Sequence, residues 1–225
     1  MRANYQNQGV EGYYTAHGAN YRNPHFAGVR KVLDTFLDGY WSQLYGANSS
    51  TPSLSVFDLA AGSGEVTQVV QGWHESRWSS APEPTLEIIA SDPFTGEAYT
   101  RQTGLPCLPL SFTDLAQDRY PISDSASEDT IYDLTICSFA LHLLTNSSEL
   151  WALLQTLQHR TRYLVVIAPH KQPQIKDGWG FVRIDPRTFQ DVSIDDKADV
   201  GGEKGDGTEI VLDRVRLRIW RSAMV

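Results

Sequence analysis

The chain has 225 residues, 41% of them hydrophobic and 20% charged, which suffices for one domain with its own core and leaves little length for a second. A formal net charge of −8 argues against an extended phosphate-tracking surface, so nucleic acid is not an expected partner, and no apolar run approaches the ~18 residues of a membrane span. The N-terminal MRANYQNQGV lacks the charged and apolar regions of a signal peptide, and Cys107 and Cys137 form neither a CxxC pair nor a Cys/His cluster. A cytoplasmic protein without a disulfide framework or metal site is therefore expected.

Residues 1–23 carry Gly, Tyr, Asn and Gln without apolar periodicity, and Asn23-Pro24 then predicts a helix start. Val29, Val32, Leu33, Phe36, Leu37 and Tyr40 recur at spacings of three and four, one face of a helix that runs to about Leu44. From Leu54 short apolar runs alternate with helical patterns: LSVFDLA, a helix after Gly64, LEIIASD, a helix from Thr95 to Gln102, LPCLPLSF, IYDLTICSF, a helix from Ser148 to His159, and YLVVIAP. Such alternation predicts an α/β fold, a doubly wound and mostly parallel sheet joined by crossover helices. After Pro169, GFVRI and EIVLDRVRLRIW read as final antiparallel strands, separated by DDKADVGGEKGDGTE, whose charge and glycine content predict a mobile loop. Arg214, Arg216 and Arg218 alternate with Val215, Leu217 and Ile219, as on a solvated strand face. The serine-rich stretches 76–84 and 123–129 read as surface loops.

The run from Val56 to Thr67 reads as a strand, a tight turn at Gly62 and Gly64, and a helix start. Asp58 and Glu65 flank that turn, where carboxylates would repel a pyrophosphate, and Thr67 stands where a dinucleotide fingerprint has its third glycine. Acids suit S-adenosylmethionine better than NAD, because it brings an ammonium group and a sulfonium and no phosphate. Asp92, ending the second apolar strand, can accept the hydroxyl protons of a ribose, and Phe94 can lie against an adenine.

In this order, DLAAGSGEVT, the strand end at Asp92, LPLSFTDL, YDLTICSFALHLL and LVVIAP resemble the successive motifs of class I S-adenosylmethionine-dependent methyltransferases over roughly residues 50–170. HGANYRNPH and APHKQPQI are similar to segments of small, uncharacterised fungal methyltransferase-domain proteins. The resemblance implies one domain, with an N-terminal lid and helix over 1–46 and a Rossmann-like core over 50–225. It places the cofactor's methionine end at Asp58, Ala60, Gly62, Ser63 and Gly64, and its ribose at Asp92 with Pro93 and Phe94 beside it. Ser111 and Phe112 fall at the adenine edge; Ser111 replaces the family's usual acid, which points to Asp114 as the alternative contact. Cys137, Ser138 and Phe139 would face the methyl-bearing end, where the Asn/Asp-Pro-Pro-Tyr sequence of many amide and nucleobase methylating enzymes is absent.

A general base for an acidic acceptor is sought among histidines at strand C-terminal ends, which gives His170 first and His142 second. Tyr13, Tyr14, His17, Tyr21, Arg22 and His25 form a polar-aromatic stretch suited to a lid. In it Tyr14, His17, Tyr21 and His25 would meet the substrate, and Arg22 would pair with the cofactor carboxylate. The expected function is methylation of a small molecule, with oxygen, nitrogen, sulfur and carbon acceptors all open. The alternative is a cofactor-binding but non-methylating scaffold subunit, or an enzyme using the pocket for another reaction. An acidic surface also suits a basic peptide, which keeps a protein partner open.

Overall fold

Among the described residues strands and helices alternate as most of the apolar runs predict. The computed structural model describes residues 12, 17–45, 53–78, 84–120, 130–192 and 208–225. Tyr13, Tyr14, the serine-rich stretch 123–129 and nearly all of the expected loop over 195–209 lie outside the described residues.

The strands are β1 (Ser53–Leu59), β2 (Thr85–Ser91), β3 (Tyr132–Ser138), β4 (Thr161–Ala168), β5 (Phe181–Ile184), β6 (Ile210–Leu212) and β7 (Val215–Ser222). Their order in the sheet is β2-β1-β3-β4-β7-β5, with β6 also paired to β7. The first four are parallel neighbours; β7 runs antiparallel to β4, β5 and β6. The helices are α1 (Phe26–Tyr40, continued by a π-helical turn, Trp41–Tyr45), α2 (Glu65–Arg77), α3 (Gly96–Thr103), α4 (Phe112–Ala116) and α5 (Ser147–Leu157). No helix among the described residues is long and apolar enough to cross a membrane.

Both faces of the sheet are covered, so its central strands read as continuous apolar runs. Leu54, Val56, Leu134, Ile136, Val165 and Ile167 pack with Val29, Val32, Leu33 and Phe36 of α1 and Val66, Val69 and Val70 of α2. The alternate positions Phe57, Leu59, Cys137, Leu164 and Val166 pack with Leu150, Leu153, Leu154 and Leu157 of α5. That parity sends Asp58 to the α1/α2 side, beneath the loop that follows β1.

Three expectations are corrected. LPCLPLSF forms no strand: only Leu108 bridges to Ser91, because Pro106 and Pro109 lack the N–H groups a ladder requires, and α4 begins at Phe112. EIVLDRVRLRIW is broken into β6 and β7 by a turn in which Asp213 and Arg214 both have positive φ. Arg218 is not solvated. It is 6% exposed, and its guanidinium donates to the carbonyls of Lys171 (2.9 Å), Gln172 (3.1 Å) and Pro173 (3.2 Å). Arg216 instead pairs with the buried Glu209, and only Arg214 of the three is exposed.

Arg218 therefore pins the chain that leaves β4. Arg218→Met keeps an apolar stem and strands those carbonyls, so urea denaturation should show a loss of about 3 kcal/mol, whereas Arg214→Ala should change stability by less than about 0.5 kcal/mol. Equal effects of the two substitutions would contradict the buried role.

Candidate functional site

The sheet order reverses between β1 and β3, and a cavity of about 410 Å³ opens there beyond the strand C-termini. Its walls come from the ends of β1, β2 and β3, the start of α2, the segment 110–113 and the segment entering α1.

The loop after β1 turns through left-handed backbone at Ala60 (φ 56°), Gly62 (φ 60°) and Gly64 (φ 84°). Gly64 is the N-cap of α2, and a methyl group there would overlap the Thr103 side chain. Asp92 ties this loop to the end of β2. Its Oδ2 accepts from the Gly62 N–H (3.1 Å), and its Oδ1 accepts from the N–H groups of Phe94 and Thr95 (both 2.9 Å). Glu65, in the first turn of α2, is buried on the cavity wall; its Oε1 accepts from Ser63 Oγ (2.5 Å) and from the Asn23 N–H (2.9 Å). A carboxylate there is favoured by the helix N-terminus.

Asp58 lies behind the loop, 1% exposed and off the cavity wall. Its Oδ2 accepts from Thr67 N–H (3.2 Å) and Oγ1 (2.7 Å). Thr67 has one hydroxyl proton and gives it to Asp58, so the Tyr99 hydroxyl, 2.9 Å away, donates to Thr67. Thr67 thus anchors the buried acid in place of the glycine of a dinucleotide loop. Burial, and then the neighbouring Glu65 and Asp92, push the Asp58 carboxyl up to about 8 against the opposing effect of the Thr67 bonds.

The N-terminal segment crosses the cavity. The turn Gly18–Asn20 lies against the Phe94 backbone, and the Tyr21 ring covers Gly62 closely enough that a methyl there would sit 3.1 Å from it. Asn23, which lines the wall, accepts the His25 N–H on Oδ1 (2.9 Å). The His25 ring stacks on Phe139 with centroids 5.1 Å apart and planes 15° apart. Phe139, at the end of β3, holds a left-handed φ of 57° and lines the cavity. Beside it Ser138 contributes a buried Oγ that has no hydrogen-bond partner among the described residues.

Of the residues expected from sequence, Ala60, Gly62, Asp92, Pro93, Phe94, Ser111, Phe112, Ser138 and Tyr21 share this wall. Asp58, Ser63, Gly64 and Cys137 do not: Ser63 serves Glu65, Gly64 caps α2, and Cys137 packs toward α5, its thiol pushed up to about 12 by burial. Asp114 is occupied by the capping box with Ser111 and by Arg119, which holds it off the cavity and its carboxyl below the usual range, Ser111 being the main cause. Arg22 is exposed and donates to its neighbour Tyr21 O; His17 is exposed as well, His25 reaches the site only through Phe139, and Tyr14 lies outside the described residues. His142 and His170 pack edge-on against each other, with centroids 4.8 Å apart, and neither lines the cavity. Sequence reasoning did not place Asn23, Leu143 or Leu144 on the wall. Asn23 carried a signal only as a helix-start residue, and the leucines only as apolar filling.

No family model matches the chain. It is 40% identical to the uncharacterised protein C17A5.05c of Schizosaccharomyces pombe (strain 972) over 99% of its own length and 92% of that protein. Among solved structures it is similar to the DszA carbon methyltransferase, at 11% identity and a TM-score of 0.53, over 98% of this chain and 59% of the other. A second structure, magnesium protoporphyrin IX methyltransferase from Synechocystis PCC 6803 with bound SAM, aligns over 99% of this chain and 95% of its own at 16% identity and a TM-score of 0.48.

The raised Asp58 carboxyl makes stability depend on pH. Between the ordinary value of 3.8 and about 8 the folded chain keeps a proton that the unfolded chain has released, so this group's contribution to stability falls as pH rises through that window. Urea midpoints from pH 4 to pH 8 should decline more steeply for the native protein than for Asp58→Asn. Parallel slopes would mean that Asp58 is ionised in the fold.

Proposed function

The chain belongs to one family with the fission-yeast protein and carries the class I methyltransferase fold, and from that premise we propose that it methylates a small molecule with S-adenosylmethionine. The observation that carries this reading is the placing of two carboxylates, Glu65 and Asp92, on the cavity wall to either side of Gly62. No phosphate is served by such a loop, whereas an ammonium group and ribose hydroxyls are. Glu65 offers Oε2 to the ammonium while Oε1 is held by Ser63 and Asn23. Asp92 has both acceptor positions of Oδ1 filled by amides, so Oδ2 keeps one for a ribose hydroxyl. Leu110 and Phe112 supply apolar surface for the adenine across from Phe94.

S-adenosylmethionine supplies a methyl group on a sulfonium that leaves as a neutral thioether. Phe139, Ala140, Leu143 and Leu144 bound the remaining part of the cavity, which supports a small organic acceptor with an apolar face. Ser138 Oγ can hydrogen-bond that acceptor from the same wall. These residues exclude water and align the nucleophile, the main task when the leaving group is already good. With His142 and His170 off the wall, we assign catalysis to alignment rather than to proton removal by either ring.

Calorimetry with S-adenosylhomocysteine should show saturable binding that Asp92→Ala weakens by about 1.5 to 3 kcal/mol, with NAD giving no heat. Binding of NAD in its place would overturn the reading. Incubating the protein and S-adenosylmethionine with a native metabolite extract should yield a product heavier by one methylene; binding without any such product would leave a non-methylating cofactor protein. Once the acceptor is in hand, His142→Ala and His170→Ala should each keep kcat within about tenfold of the native value, and a loss of about a hundredfold or more in either would make that histidine the base.

A further inference from the structure

Asn23 is 7% exposed and sits on the cavity wall between the glycine loop and the acceptor side. Its backbone N–H is given to Glu65, and its Oδ1 accepts from the His25 N–H, which fixes the orientation of the side-chain amide. The Nδ2 group makes no hydrogen bond to the described residues and is not sealed from solvent, so this donor is open to a ligand. The cavity is where that partner can be.

We propose that Asn23 binds the carboxylate at the amino-acid end of the cofactor and thereby makes the acceptor-side wall depend on the cofactor. This rests on the methyltransferase reading above. An amino acid whose ammonium meets Glu65 has its carboxylate on the adjoining carbon. Asn23 is already bonded to Glu65 through its own backbone, so Nδ2 is a donor close at hand. Arg22, the cation expected for this task, is exposed and donates to the Tyr21 carbonyl. On its other side Asn23 holds the His25 N–H, and His25 stacks on Phe139, which forms the acceptor wall. Ser63, Glu65, Asn23, His25 and Phe139 thus form one continuous set of contacts from the cofactor loop to the acceptor site. A ligand carboxylate that fixes the Asn23 side chain fixes the His25 turn and, through it, the Phe139 ring.

Two probes separate the ends of the cofactor: S-adenosylhomocysteine, and 5′-methylthioadenosine, which keeps the nucleoside and a thioether and lacks the amino acid. Hydrogen exchange of the full chain should show residues 17–26 protected by the first and unprotected by a saturating amount of the second. Asn23→Asp keeps an oxygen for the His25 N–H and replaces Nδ2 by an anionic oxygen. It should lower affinity for S-adenosylhomocysteine by about tenfold or more while leaving 5′-methylthioadenosine binding unchanged, and Arg22→Ala should change neither. Equal protection by both probes, or equal weakening of both by Asn23→Asp, would overturn the proposal. If neither probe binds the native protein, the methyltransferase reading itself fails and this one with it; if both bind as expected of that reading but behave alike toward residues 17–26, this proposal fails and that reading stands.

Discussion

The carboxylate of Asp92 organises the site. Three backbone N–H groups converge on it, two from the turn after β2 and one from Gly62, so a single side chain joins the ends of two adjacent parallel strands. Hydrogen bonds to a charged acceptor contribute about 1.5–3 kcal/mol each. Against this stand Ala60 and Phe139, both non-glycine residues in left-handed backbone, at roughly 1–2 kcal/mol each. The cavity wall is built from strained backbone that the surrounding bonds hold in place, a recurrent property of binding sites.

Three acids stand within one short stretch of structure and take different tasks because of where their backbones point them. Asp58 follows the inward parity of Leu54 and Val56, meets Thr67, and is driven toward its neutral form. Glu65 has the benefit of the α2 N-terminus and faces the cavity. Asp92, at the edge of the cavity, is held by amides. The carboxylates that the loop region presents to the cavity are therefore Glu65 and Asp92, with Asp58 beneath it bonded to Thr67.

Much of the fold was legible because the sheet is buried on both faces, which makes β1, β3 and β4 stand out as apolar runs, and because α1 presents a single apolar stripe. What failed has local causes. LPCLPLSF has the composition of a strand, but two prolines remove its donors. Arg218 fits a solvated alternation, and only the return of the chain after β4 reveals three carbonyls around it. On the cavity wall, Gly62 and Asp92 were legible from their places after strands, and Ser111 and Phe112 from the resemblance of LPLSFTDL to a family motif. Asp58 was expected on the wrong side of its loop, since a motif does not state strand parity. Asn23 was read only as a helix-start residue, and its side-chain amide had no further meaning until its backbone was seen bonded to Glu65, distant in sequence.

We propose that an amino-acid nucleoside binds this cavity with its ammonium at Glu65 and its ribose at Asp92. A crystal structure of the protein with S-adenosylhomocysteine tests it most directly. The expected result is the ammonium within hydrogen-bond distance of Glu65, one ribose hydroxyl on Asp92 Oδ2, and the adenine between Phe94 and Phe112. A nucleoside bound in another orientation, with Glu65 and Asp92 both away from the ligand, would contradict it.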